Sequence, residues 1–384
     1  MSAINQSTPD EVQSDVLTSR KARRGTSPAV VAIAHLKQRK IAMVCFGILV
    51  FYFLLAAVTF LRLPDSTVTN ADGSTQVIER RFIGEWFEEL ATKRLLDEDG
   101  NPLDYHPPGF GQPTRAELDG EKRIPTTVYW ETPAGEPRTL AANYHLMLGT
   151  DIQGRSVFWR TLYGARMSLS IAFWAAVLSI VIGTVLGALA GYFGGWVDIT
   201  ITWLFTTVAS IPRILLILAL AYSLKGQTIH PLGVEVNLSG SLMLIMAMGL
   251  TSWVGLCRLI RGEILKQKEM DYESAARALG VGRGRILVRH LLPNAFYLVI
   301  IQFSLLFPLF IHLEVILSYL GLGASSGVSW GQMIEASLLE MMKSPIVWWQ
   351  LAAASVAVFG VSLALNLFGD ALRDALDPRL QASN

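Results

Sequence analysis

Long apolar runs with at most one charged residue each alternate with short charged segments along most of the chain. Six such runs are present, at residues 41–62 and at about 168–190, 199–224, 240–257, 294–318 and 347–368. An α-helix rises about 1.5 Å per residue, so roughly 20 apolar residues cross a hydrocarbon core about 30 Å thick. The pattern therefore predicts an all-α polytopic membrane protein with six transmembrane helices.

Composition supports a membrane protein over a soluble one. Of 384 residues, 52% are hydrophobic and 16% are charged, and the mean hydropathy is +0.41, above the usual range for a soluble domain. A net charge of +1 argues against a globally basic protein that binds nucleic acid. Cys45 and Cys257 each lie within an apolar run, so they form no disulfide framework or metal-binding pattern. We expect both to be packing residues.

A polar and then basic tail, residues 1–40, precedes the first apolar run. Such a tail can bind nucleic acid or lipid headgroups, but ahead of a membrane span it is more often a cytoplasmic anchor. The first run contains 21 uncharged residues, 41–61, and no small-residue cleavage site follows it. It is therefore predicted to be a retained transmembrane helix rather than a cleaved signal peptide.

Residues 63–145 differ in character from the rest of the chain, because Gly, Pro and charged residues return there. Turn signals at 70–73 predict a hairpin over 67–82, and helical spacing of apolar residues predicts a helix over 80–96. This segment is too small for a large core of its own. We expect a small extracytoplasmic insert after the first transmembrane helix, packed on the membrane domain.

The distribution of Lys and Arg predicts the orientation of the chain. With the amino terminus inside, six spans place 20–40, 258–290 and 370–384 on the cytoplasmic side, and these segments hold seventeen Lys and Arg residues. The two short outer loops hold one each, Lys225 and Lys343. Because short cytoplasmic loops carry the excess of basic residues, both termini and the loop at 258–292 are predicted to be cytoplasmic.

The loop contains a short charged segment, 271–294, between two apolar runs. Asp271 is a good N-cap for a helix, and Gly280 can adopt the left-handed conformation that ends one. Pro293 suits the first turn of the next helix. A helix of about two turns is marginal by itself in water. It is either an ordinary loop helix or a segment stabilised by a partner.

This segment resembles the EAA loop of the membrane subunits of ABC importers. Five residues lie at the spacing of that motif: Ala275, Ala276, Gly280, Leu292 and Pro293. Two positions differ from it, 274 and 290. Ser274 stands where the motif usually has Glu, Glu273 lies one residue early, and His290 replaces the usual Ile.

Two further segments resemble the dipeptide/oligopeptide permeases of this family, in the C-type subfamily. One is 145–172, with Gly149-Thr150-Asp151 and a departure at Ser156. The other is 320–379, beginning with Leu-Gly-Leu-Gly at 320–323. In the third span, Trp203 and Thr206 take the places where the family often has Arg and Asp. The resemblance covers about 145–380 and the first span, and leaves out most of 63–140.

The resemblance implies a type I ABC importer fold in the inner membrane of a bacterium. It further implies two ABC ATPase subunits, a second permease subunit that forms a heterodimer with this one, and an extracytoplasmic substrate-binding protein. The loop would be the helix that couples the ATPase to transport. The candidate coupling residues are Asp271, Glu273, Ser274, Ala275, Ala276, Arg277, Leu279, Gly280, Arg283, Arg285 and Pro293.

The chain shows no nucleotide site, catalytic constellation or metal-binding pattern. The glycine cluster at 280–284 completes no GxGxxG, and GxxxxGK[ST] is absent. Six histidines are scattered without metal spacing. We therefore expect a transport subunit that is not an enzyme and needs no cofactor, with ATP hydrolysed by partner subunits.

Two charged residues inside apolar runs, Arg213 and Glu314, give the candidate translocation path together with Pro212, which frees backbone carbonyls within its run. Buried charge in a membrane is costly and usually faces the bundle interior or a wet path. Two alternatives remain open: Arg213 reaches the interface along a tilted helix, and Glu314 makes a structural hydrogen bond.

The leading hypothesis is a peptide permease, with nickel or another small solute as an alternative cargo. A channel is a different class, but a pore loop or a ladder of like charges in one span is not visible. A membrane-anchored receptor that works through the 63–145 insert is a third.

Overall fold

The computed structural model describes residues 40–58 and 147–376, apart from short gaps at 231–234, 239, 324–326 and 343–345. Between 59 and 146 it describes residues 90–92 and five short strands. The tails at 1–39 and 377–384 and the remainder of the insert, on which several predictions fall, lie outside the described residues.

Helices make up most of the described chain. In chain order they are α1 (Lys40–Val58), α2 (Val157–Phe193), α3 (Gly195–Ala209), α4 (Arg213–Leu224), α5 (Ser241–Gly249), α6 (Val254–Lys268), α7 (Asp271–Ala278), α8 (Arg283–Ile286), α9 (Leu292–Leu317), α10 (Trp330–Met341) and α11 (Trp349–Leu376). Two π-helical turns, Leu287–Leu291 and Ser318–Leu322, flank α9.

The insert contains small antiparallel sheets. The strands are β1 (Ser66–Thr69), β2 (Thr75–Ile78), β3 (Leu95–Leu96), β4 (Thr127–Trp130) and β5 (Arg138–Ala141), followed after α4 by β6 (Gln227–Ile229) and β7 (Val236–Leu238). β1 pairs with β2, which confirms the predicted hairpin. The sheet β3-β4-β5 has β4 at its centre, and β6 pairs with β7.

One local prediction in the insert is wrong at its end. Helical spacing predicts a helix over 80–96, but Leu95 and Leu96 form β3 and pair with Trp130 and Tyr129. The partner strand lies more than 30 residues further along the chain. Apolar periodicity is a local signal, so it does not reveal this pairing.

The membrane-spanning architecture is built from long helices and bent pairs. Four stretches are long and apolar enough to cross a membrane: Lys40–Val58, Val157–Phe193, Arg283–Leu322 and Trp349–Ala375. Two pairs meet the same criterion together, α3 with α4 bent by 94° and α5 with α6 bent by 41°. Taken as one span each, the pairs bring the described chain to six spans, in agreement with the predicted fold class. The predicted spans at 199–224 and 240–257 fall on these bent pairs.

The sharper bend has a cause in the sequence. Pro212 lacks a backbone N–H, and its ring disfavours the helical conformation at the preceding residue, Ile211. The Ser210 hydroxyl donates to the Thr206 carbonyl oxygen over 2.9 Å and satisfies one carbonyl at the end of α3. The chain therefore leaves α3 at Ser210 and starts α4 at Arg213.

A close helix contact joins α2 to α6 through a stripe of glycines. A Cβ atom on Gly183, Gly187 or Gly191 would lie 2.8, 2.6 or 2.8 Å from the carbonyl oxygens of Trp253, Cys257 or Arg261, respectively. Residues four apart share a helix face, so the three glycines form one flat surface. The two backbones approach as closely as small residues allow in membrane helix pairs.

A polar junction joins the start of α2 to α10 and α11. The buried Asp151 carboxylate accepts hydrogen bonds from the backbone N–H and Nε of Arg155, at 2.9 and 2.7 Å, and lies 3.0 Å from Arg160 NH1. Glu340 Oε1, on α10, accepts from the Ile152 N–H at 3.4 Å. Trp349 Nε1, at the start of α11, donates to the Thr150 carbonyl oxygen at 2.7 Å. These contacts hold the segment before α2 in place.

Candidate functional site

Helix α7 projects from the end of α6 and stops at a glycine. Asp271 is its first helical residue, and Met270 takes the N-cap position without a side-chain cap. The prediction of Asp271 as N-cap is wrong by one residue, although its carboxylate still lies at the positive end of the helix dipole. Gly280 has φ +78°, as predicted. Its N–H donates to the Arg277 carbonyl oxygen at 3.0 Å.

Glu273 and Ser274 point in opposite directions. The Glu273 side chain is buried, with only 3% of the residue exposed. Its Oε1 accepts from Tyr192 Oη at 3.5 Å and from Arg277 NH2 at 2.6 Å. The bond from Arg277 to Glu273 raises the pKa of Arg277. Ser274 is exposed, and its hydroxyl donates to the Asp271 carbonyl oxygen at 2.8 Å.

The outer side of α7 presents small and apolar residues. Ala275 is exposed, whereas Ala276 is half-buried and packs against the core. Leu279 is 84% exposed. Of these three candidate coupling residues, Ala275 and Leu279 are therefore fully available to a partner and Ala276 only in part.

Basic residues surround that apolar surface. Arg283 and Arg285 lie exposed on α8, and the following π-helical turn adds exposed Val288 and Arg289. We call the exposed set the α7–α8 surface; its members are Ala275, Arg277, Leu279, Gly280, Arg283, Arg285, Val288 and Arg289. Val288 and Arg289 were not among the predicted site residues. Their position in the charged loop could have indicated that they belong to the site.

Buried residues hold the α7–α8 surface on the bundle. Ile286, Leu287 and Leu291 are buried and belong to the main hydrophobic core. Pro293 lies exposed in the first turn of α9, as predicted for a residue that lacks a backbone N–H. The surface is thus carried on residues that are packed into the membrane domain.

The three candidate path residues lie in different surroundings. Pro212 is at the 94° bend, and Arg213 is the exposed first residue of α4. Glu314 is fully buried in α9. Its two oxygens accept hydrogen bonds from Ser168 Oγ and Ser318 Oγ, each at 3.1 Å. The structure does not gather the three residues into one constellation.

The surroundings of Glu314 are tightly packed. Ser168 Oγ also accepts from the Trp330 N–H at 3.1 Å, which brings α10 into the same network. A Cβ atom on Gly331 would lie 2.9 Å from Glu314 Oε1. Glu314 thereby joins α2, α9 and α10, an arrangement that matches the structural hydrogen-bond alternative.

A family model and several curated proteins are similar to this chain, and they agree on its family. Residues 183–382 match the model of the family described as binding-protein-dependent transport system inner membrane component. The chain is 36% identical over 234 residues to a dipeptide transport system permease protein of Bacillus subtilis, covering 61% of this chain and 68% of the relative. It is also 34% identical over 234 residues to an oligopeptide transport system permease protein of that organism, covering 61% and 72%.

Two further similarities are to a permease of another organism and to a solved structure. A glutathione transport system permease protein of Pectobacterium atrosepticum is 36% identical over 236 residues, covering 61% of this chain and 73% of the relative. A solved structure of the MetNI methionine ABC transporter in an inward-facing conformation is 17% identical, with a TM-score of 0.43, covering 56% of this chain and 97% of the other.

The family match covers the bent pair α5–α6, the α7–α8 surface and the last two long helices, and it agrees with the resemblance drawn from the loop motif. The chain belongs to the binding-protein-dependent transport system inner membrane components, the multi-pass permease subunits of ABC importers.

Proposed function

We propose that this permease subunit moves peptides inward across the bacterial cytoplasmic membrane, driven by two separate ATPase subunits. The names of three relatives support the cargo, since they are permeases for dipeptides, oligopeptides and glutathione. A second permease subunit completes the pore as a heterodimer, and an extracytoplasmic binding protein delivers the peptide.

The single observation that carries the energy-coupling part is the α7–α8 surface. Leu279 is 84% exposed on a helix that stops at a left-handed glycine. A large exposed apolar side chain among arginines is typical of an anchor at a protein interface. Arg277, Arg283 and Arg285 add charge-assisted contacts to carboxylates of a partner. We infer that an ATPase subunit docks here and that its closure rocks the spans as rigid bodies.

The orientation follows from the Lys and Arg count. Seventeen of these residues lie on the segments assigned to the cytoplasm, against two on the short outer loops. This bias supports an orientation with both termini and the α7–α8 surface inside, where ATP is available. The 63–145 insert then lies outside, on the side of the binding protein.

The α3–α4 bend is the proposed part of the translocation path. Arg213 begins α4 directly after the break at Pro212, and its side chain is exposed. A break in a membrane helix leaves backbone carbonyls without helical partners. Such carbonyls occur only where they are buried in protein or line a water-filled cavity. An arginine there suits a peptide carboxylate. The serine network of Glu314 supports a structural role for that residue.

Reconstitution of the whole complex tests the proposal. The chain is purified with a tag from its native membrane, and the partners that co-purify are identified. The complex is then placed in proteoliposomes with its binding protein, and ATP-dependent uptake of labelled di- and oligopeptides is compared with that of Ni²⁺. We expect peptide uptake that requires ATP. Uptake of Ni²⁺ in place of peptide, or flux without ATP, would refute the proposed cargo or the importer mechanism, respectively.

A further inference from the structure

Glu273 is a buried acid on a helix that is otherwise largely exposed. Six of the eight residues of α7 are exposed and Ala276 is half-buried, whereas Glu273 is only 3% exposed. A carboxylate loses its hydration when it is buried, so it needs hydrogen-bond partners that compensate. Glu273 has two of them, Tyr192 and Arg277. The acid is thus directed toward the membrane domain and away from the docking surface.

Tyr192 belongs to the last turn of α2 and is held by a second helix. Lys268, the last residue of α6, donates from Nζ to the Tyr192 carbonyl oxygen at 2.9 Å. The same ammonium lies 5.8 Å from the centroid of the Tyr192 ring. The Tyr192 residue is itself buried. One aromatic residue therefore joins α2, α6 and α7 at the end of the bundle.

Two of the helices that meet at Tyr192, α2 and α6, are already closely packed. The glycine stripe of α2 presses against the α6 backbone, and Gly191 is the neighbour of Tyr192 in sequence. Helix α7, in contrast, has only eight residues and no side-chain N-cap. A helix of that length is not stable by itself in water. The contact with Tyr192 therefore contributes stability that the sequence of α7 does not provide by itself.

We propose that Glu273 is a positioning residue that fastens α7 to the end of α2 through Tyr192, so that α2, α6 and α7 move together when the ATPase moves. The inference rests on the proposed docking of an ATPase subunit on the α7–α8 surface. Glu273 then transmits force within this chain and does not contact the ATPase. Arg277 shares its guanidinium between Glu273 and the docking surface, because its side chain remains half exposed.

Hydrogen exchange on the full-length chain in detergent tests the fastening directly. The variants are Glu273→Ala and Tyr192→Phe, with the exposed neighbour Ser274→Ala as matched control. We expect amides 274–279 to exchange roughly fivefold faster in Tyr192→Phe, which loses one hydrogen bond, and by at least that factor in Glu273→Ala, which loses two. Exchange in the control remains as in the unmodified chain. Equal rates in Glu273→Ala and the control would overturn the proposal.

Transport by the complete complex tests the consequence. Peptide moved per ATP hydrolysed is expected to fall about fivefold in Glu273→Ala, while ATPase subunits still co-purify at the unmodified ratio. Glu273→Gln is expected to retain most of the peptide moved per ATP, because its amide oxygen still accepts hydrogen bonds from Tyr192 and Arg277. Loss of the ATPase subunits from Glu273→Ala would mark a direct contact and refute the positioning role. Equal loss of coupling in Glu273→Gln and Glu273→Ala would refute it as well.

A matched variant separates this inference from the proposed function. Gly280→Val alters the exit of α7 and leaves Glu273 in place. If Gly280→Val uncouples transport while Glu273→Ala transports normally, the docking surface stands and the positioning role fails. If both variants transport normally, the coupling function itself fails.

Discussion

Gly280 is the residue whose backbone geometry determines how α7 ends. Its φ of +78° is strained for any side chain, and most of all for a β-branched one. We predict that Gly280→Val reduces peptide uptake about tenfold or more while ATP hydrolysis continues, because a strain of about 1–3 kcal/mol redirects the helix exit. Uptake and ATPase rates of the reconstituted complex provide the measurement.

Gly284 is the matched control for that substitution. It lies in α8, four residues away, in ordinary helical conformation, and a Cβ atom there would meet no atom within 4 Å. Gly284→Ala should therefore leave uptake and membrane abundance unchanged. Normal uptake by Gly280→Val would contradict the coupling role of α7, provided that Gly284→Ala behaves as expected.

Glu340 is the residue at which stability should respond to pH. Burial raises the pKa of its carboxyl to about 7, a rise that the Ile152 N–H and the cations Arg160 and Arg155 oppose and Asp151 reinforces. The folded chain then binds this proton more tightly than the unfolded chain does. Stability contributed by the neutral acid is present at low pH and is lost as the pH rises from the ordinary Glu range through about 7.

Thermal unfolding of the chain in detergent, from pH 5 to pH 8, measures this effect. We expect Glu340→Gln to flatten the decline in Tm, because the neutral amide stays uncharged throughout. The expected direction is a larger gain for Glu340→Gln at pH 8 than at pH 5. A gain that is equal at both pH values would show that Glu340 does not titrate in this range.

At the scale of elements, the contact between α2 and α6 depends on the absence of side chains at three positions. A Cβ atom on Gly187 would lie 2.6 Å from the Cys257 carbonyl oxygen. We predict that Gly187→Leu lowers the free energy of unfolding by about 3 kcal/mol or more, since overpacking forces the two backbones apart. Gly262 also lies on α6, but a Cβ atom there would meet no atom within 4 Å, so Gly262→Leu is the control. Equal Tm losses in both variants would refute the close-contact explanation.

At the scale of the whole molecule, we expect the permease to depend on partner subunits for ATP hydrolysis. Its only glycine cluster in the loop, 280–284, follows a helix rather than a strand and lacks the Lys that contacts phosphate. We predict that the purified chain is not labelled by a photoreactive ATP analogue, whereas the complex with its ATPase subunits is. Labelling of the isolated chain that excess ATP abolishes would contradict this division of labour.

Local signals in the sequence were sufficient for the membrane class, the family and the main features of the loop. Apolar runs of helical length are set by the thickness of the bilayer, so they can be recognised without a structure. Gly280 indicates the end of one helix because glycine readily adopts a positive φ. Pro293 indicates the first turn of the next helix because proline has a fixed φ and no backbone N–H. Pro212 likewise marks the place of the α3–α4 break, although the angle of 94° came only from the structure.

Tertiary structure alone decided what the charged side chains contact. Glu273 looked like a displaced partner contact, but it is buried against Tyr192, 81 residues earlier in the chain. Glu314 looked like part of a path, and its partner Ser168 is 146 residues away. The sequence by itself determined which segments are helices and which family they form, because those properties arise from neighbouring residues. The direction in which each acid points depends on groups that only folding brings together, so no local pattern contains it.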